Sequence, residues 1–173
     1  MNKDKIQKFQ IFSAIFAIIL GTILHFTYDW SNQNPIIAAF SSINESTWEH
    51  LKLAFYPLLI TSIIGFFIFS KDKNFLCSKV LGILVALSFI TIFFYTYTGI
   101  LGRNIALIDI SSFIIAIILG ECISFQNISL EFNCNNKISI IILVILLLCF
   151  IFFTYNPPEI QLFQDPITGL YGI

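Results

Sequence analysis

Five long runs, each apolar on every face, dominate the chain: Ile11–Tyr28, Leu51–Phe69, Val80–Tyr97, Ile105–Ser124 and Ile138–Tyr155. A helix of roughly 17–25 residues crosses a hydrocarbon core of about 30 Å. Apolarity all round separates such spans from amphipathic surface helices. The runs are continuous and do not alternate at period two, so they predict helices rather than barrel strands. The reading is an all-α integral membrane bundle of five transmembrane helices, one membrane domain over residues 1–173, with residues 156–173 as a tail. Lys3, Lys5 and Lys8 before the first run fit the start of a signal peptide. The run exceeds the usual 7–15 residues, and His25-Phe-Thr-Tyr-Asp-Trp30 is no small-residue cleavage site, so it is expected to stay as a span.

Composition narrows the class. Hydrophobic residues make up 57% and charged residues 11%, against roughly 25% charged in soluble domains. This excludes a cytosolic globular enzyme. Nine basic and ten acidic residues leave no basic patch, so no nucleic-acid partner is expected. The positive-inside rule supplies an orientation. Lys3, Lys5, Lys8, Lys71, Lys73, Lys79 and Lys137 fall on the side of the N-terminus, and only Lys52 and Arg103 on the other. The expectation is a cytoplasmic N-terminus and an extracytoplasmic C-terminus in a cell (inner) membrane, with Trp30, Trp48, Tyr95, Tyr97 and Tyr155 as an outer aromatic belt. Cys77, Cys122 and Cys134 lie toward the inner side and Cys149 within the fifth span, implying neither a disulfide framework nor a thiolate zinc site.

Polar chemistry gathers between the first two spans. Both histidines are there, His25 and His50, with Asp29, Asn44, Glu45, Trp48, Glu49 and Lys52. Ser42-x-x-Glu45 and Ser46-x-x-Glu49 match the capping-box pattern, so a helix starts near Ser42–Ser46. Helical spacing puts Glu45, Glu49, Lys52 and Tyr56 on one stripe and stacks His50 over Ser46. Pro57 withholds a backbone bond and frees a carbonyl near Leu53. Arg103 and Asp109 lie at the same outer boundary; an Arg103–Asp109 or Asp109–Lys52 ion pair is the structural expectation. Glu121 is expected to be interfacial at the opposite side. The tail carries apolar anchors and turn chemistry at Asp165-Pro-Ile-Thr-Gly169, and so is expected to fold back over the outer face.

The outer segments hold two basic side chains against six acidic ones, a balance of −4. Carboxylates and imidazoles without thiolates suit a divalent cation such as zinc or manganese. The candidate ligands are His25, Glu45, Glu49, His50 and Asp165. In a catalytic reading Glu49 or Glu45 is the general base and His50 the acid or a ligand. Lys52, Arg103, Asp109, Asn44, Trp48 and Asp29 form the surrounding binding set, with Lys52 and Arg103 suited to a phosphate or carboxylate.

Asn44-Glu-Ser-Thr-Trp48-Glu-His-Leu-Lys52 and the tail Asp165-Pro-Ile-Thr-Gly-Leu-Tyr-Gly172 carry a resemblance along the whole chain. It resembles a family of small bacterial multi-pass membrane proteins with an N-E-S-x-W-E-H-x-K signature and a D-P-x-T-G-x-Y-G tail. The resemblance brings no activity with it and implies only that these segments are the family's hallmark. The expected function is an outward-facing polar site for a metal ion or lipid headgroup, with membrane lipid and a membrane protein as the partners considered. The alternative is a membrane-embedded, metal-dependent enzyme acting on a lipid or lipid-linked substrate. A transporter or channel subunit ranks last, since nearly no polar residue lies at mid-membrane.

Overall fold

The computed structural model describes residues 3–70, 72–130 and 135–172. Lys71, Cys134 and the middle of the connector between the fourth and fifth spans lie outside the described residues. Five helices are long and apolar enough to cross a membrane: α1 (Lys3–Trp30), α3 (Thr47–Ile68), α4 (Phe75–Leu101), α5 (Ala106–Ser129) and α6 (Asn136–Tyr155). Each contains most or all of one apolar run. The one-turn helix α2 (Pro35–Ala38) and a 3-10 turn at Gln161–Phe163 fall in segments too short for a periodic signal.

Helix ends follow local chemistry. Ser46 caps α3 by accepting from Glu49 N at 3.4 Å, so half of the capping box forms; the Glu49 carboxylate instead accepts from Ile43 N at 3.1 Å. Asn34 and Asn135 cap α2 and α6. Gly102, in the left-handed region at φ 69°, closes α4, where a side chain would be strained.

α1, α3, α4 and α5 pack around one another, and α6 lies against α4 and α3. α3 and α4 are the most buried. Two close approaches set the spacing. The helical partner of the Leu53 carbonyl would be residue 57, a proline without an N–H. That carbonyl faces Gly21 of α1, where a Cβ would lie 2.5 Å from it. Gly82 of α4 and Gly120 of α5 meet backbone to backbone, the kind of small-residue crossing that lets membrane helices approach.

The loop between α1 and α3 folds back into the bundle. Ser41 is fully buried; its hydroxyl donates to Leu24 O and accepts from Tyr28 N at 3.0 Å, joining the last turn of α1 to the loop. In the tail, Phe163 is buried against Trp48 and Phe153, at ring-centroid distances of 4.7 and 5.4 Å. Asp165 accepts from Ile167 N and the Thr168 hydroxyl, and Gln164 pairs antiparallel with Tyr171.

Three expectations need correction. Glu121 is 4% exposed and pairs with Lys79 at 2.5 Å, so it is a bundle residue and not an interfacial one. Inside the helices Lys79 and the Ser13 hydroxyl both meet one oxygen of the Glu121 carboxylate, a pairing that spacing within one helix could not show. Asp109 accepts from the Tyr97 hydroxyl and forms no ion pair with Arg103 or Lys52; Arg103 is exposed. Cys77 is disulfide-bonded, while Cys122 and Cys149 are free.

Candidate metal centre

His25 sits in the last turns of α1 and His50 in the first turn of α3, while Glu45 lies in the loop just before the Ser46 cap. The return of the loop brings the three together. Glu45 Oε1 is 3.7 Å from His25 Nε2, and Glu45 Oε2 is 3.4 Å from His50 Nε2. One ligand atom from each residue falls within 4.8 Å of the others. The imidazole centroids are 5.2 Å apart. About a third of each imidazole side chain and 42% of the Glu45 side chain are exposed, so the trio can be reached from solvent.

The His50 tautomer follows from its partner. His50 Nδ1 lies 2.9 Å from the Ser46 carbonyl, which can only accept, so Nδ1 carries a proton and, in the neutral ring, Nε2 keeps the lone pair. That lone pair faces Glu45. A ligating histidine is oriented in this way in metal sites, its second nitrogen donating to a carbonyl. Donors at about 2.0–2.1 Å around a tetrahedral zinc ion lie about 3.3 Å apart; the imidazole nitrogens lie 3.7 and 3.4 Å from different Glu45 oxygens, and one atom from each residue falls within 4.8 Å of the others. The His25 ring packs against Phe26 at 4.9 Å, and its Nδ1 is buried without a partner. Asp29, one turn beyond His25, is exposed and adds negative charge nearby.

The other residues expected at the site go elsewhere. Glu49 and Lys52 form a buried pair at 2.6 Å, at most 3% exposed. Lys52 Nζ also donates to Ala38 O at 2.8 Å and Thr154 Oγ1 at 2.9 Å. Tyr56, next on the stripe, donates to Ala39 O at 2.7 Å. Glu49 thus joins the α1–α3 loop through Ile43, and Lys52 joins that loop to α6. Asp165 is used within the tail turn. Asn44 accepts from Ser46 N and donates to Gly172 O at 3.2 Å, tying the tail to the residue beside Glu45. Trp48 packs among Phe150, Phe153 and Phe163.

Sequence reasoning missed the Ser46 carbonyl, the Ala38 carbonyl and Thr154. The first was within reach, since stacking of His50 on Ser46 already implied contact at that turn. The other two depend on packing between segments distant in sequence and carry no local signal.

No curated protein and no solved structure matches the chain. The profile of one family of unknown function (DUF6512) matches residues 1–173. Full-length agreement with that profile, together with five helices of spanning length, places the chain as a multi-pass membrane protein belonging to the family of unknown function DUF6512.

Proposed function

We propose that this membrane protein binds a divalent metal ion, zinc before manganese, through His25, Glu45 and His50 at the extracytoplasmic face of a cell membrane. The observation that carries the reading is His50: its Nδ1 is committed to the Ser46 carbonyl at 2.9 Å, leaving Nε2 open toward Glu45 and His25. Two imidazoles and one carboxylate form a donor set that zinc accepts with tetrahedral geometry. Membrane lipid is the surrounding partner, and the exposed Arg103 at the same end suits a headgroup phosphate.

Metal content of the purified full-length chain tests this. The expected result is near one zinc per chain after equilibration with zinc and buffer exchange. His25→Ala, Glu45→Ala and His50→Ala should each lose the metal, and Asp165→Asn should keep it. Binding should weaken as pH falls, because an imidazole must shed its proton to ligate. A folded wild type that holds no metal overturns the reading.

The donor count favours a second reading. Three protein ligands leave a fourth position for water, as in hydrolytic zinc sites. In that reading the protein is an enzyme acting on a lipid or lipid-linked substrate. Glu49, closed off by Lys52, is not placed to serve as its base. Zinc-dependent release of a product from lipid vesicles, abolished in Glu45→Ala, would establish it; metal binding without turnover leaves the first reading alone.

A further inference from the structure

At the opposite end of the bundle a groove of about 360 Å³ runs between α1 and α5. Its surface is almost entirely apolar, with Ile11, Ile15, Ile18 and Ile118 along it, and the polar side chains of Gln10 and Glu121, each 4% exposed, border it. Ile11, Ile15 and Ile118 are 54%, 54% and 46% exposed, so the groove opens sideways onto the surface that a bilayer would cover. From Ile11 to Ile18 it follows the helix for about 10 Å.

Its polar side is incomplete. Glu121 Oε1 receives Lys79 Nζ at 2.5 Å and lies 2.6 Å from the Ser13 hydroxyl. Glu121 Oε2 is buried with no partner, in a residue that is 4% exposed. An unsatisfied buried carboxylate oxygen is costly. Lys79 cannot supply the missing donor. All three Lys79 protons are engaged, by Glu121, by Ser13 at 3.0 Å and by Gln10 Oε1 at 3.2 Å. One N–H of Gln10 donates to Ser124 at 2.9 Å, which leaves its second N–H available.

We infer that this groove binds a neutral lipid with a free hydroxyl, its head between Glu121 and Gln10 and its chain along the isoleucine wall. A hydroxyl meets both needs at once, donating to Glu121 Oε2 and accepting from Gln10. Charge selects against the other headgroups. Lys79 already balances Glu121, so an ammonium or phosphate would bring an uncompensated charge into a low-dielectric site. The groove shares no residue with the histidine trio and stands independently of the metal reading.

The test uses the full-length chain in phosphatidylcholine nanodiscs with a diazirine analogue of hexadecanol as photoprobe, and peptide mapping of the adducts. Label should concentrate on residues 7–18 and 118–125. Unlabelled hexadecanol should compete; hexadecane and palmitate should not. Ile15→Trp and Ile118→Trp, which add bulk from exposed positions, should each cut labelling at least fivefold. Ile92→Trp, exposed on α4 and outside the groove, should leave it unchanged. Label spread evenly over the apolar surface, or hexadecane competing as well as hexadecanol, overturns the proposal. Both of those results are read on the wild-type chain, so the proposal is decided even where a tryptophan variant does not fold.

Discussion

Lys52 shows how one side chain can look functional and turn out to hold the fold. It is fully buried, and its three protons go to Glu49, the Ala38 carbonyl and Thr154. A buried pair of this kind need not add net stability, because desolvation offsets the attraction. Removing one partner is different, since it strands the other charge. Lys52→Met is expected to destabilise the protein by about 3–5 kcal/mol, read as a lowered thermal midpoint in detergent. Adding Glu49→Gln should recover a large part of that loss. Were the single and double variants equally unstable, Lys52 would be holding Ala38 and Thr154 rather than Glu49. His50 differs from Lys52 in that its partner uses only one ring nitrogen, and this separates a ligand candidate from a structural group.

At the scale of helices, proline and glycine act as a pair across α3 and α1. Pro57 leaves the Leu53 carbonyl without its helical donor, and Gly21 provides the flat surface on which it rests. Gly→Ala inside a helix ordinarily gains about 1 kcal/mol in propensity. At Gly21 the added methyl would sit 2.5 Å from a backbone oxygen, and such overpacking costs about 1–3 kcal/mol. The second effect should win: Gly21→Ala is expected to lower the thermal midpoint, whereas Gly99→Ala, with open space around it, should not. A stabilised Gly21→Ala variant would show that α1 and α3 do not approach so closely. The loop between these helices is ordered by the same logic, with Ser41 occupying the last turn of α1 and Glu49 holding Ile43. Glu45 reaches the histidines only because that loop returns.

The orientation of the whole molecule rests on charge. Lys79 and Lys52 are both buried, one from each side of the count, so the flanking residues stand at six against one. On that count the positive-inside rule predicts a cytoplasmic N-terminus. A disulfide at Cys77 belongs in an oxidising compartment and points the other way. Labelling decides between them. With an impermeant maleimide on intact cells, Glu159→Cys should gain label over the parent protein, and Lys3→Cys should gain it only after lysis. The reverse pattern would put the Cys77 end outside and the histidine trio in the cytoplasm.

The apolar runs alone determined the five helices, because a span of hydrocarbon demands length and uniform apolarity, and both are local properties of the chain. The candidate ligand types were legible for a related reason: histidine and carboxylate beside an apolar run are conspicuous. What spacing could not decide was which carboxylate joins the imidazoles. Glu45 and Glu49 share a signature and a predicted stripe, yet one lies in the loop beside His25 and the other is buried against Lys52. Glu121 and Lys79, 42 residues apart, read as unrelated flanking charges until α4 and α5 pack together. Such choices belong to the tertiary structure, since a buried charge is placed by whichever distant groups can satisfy it.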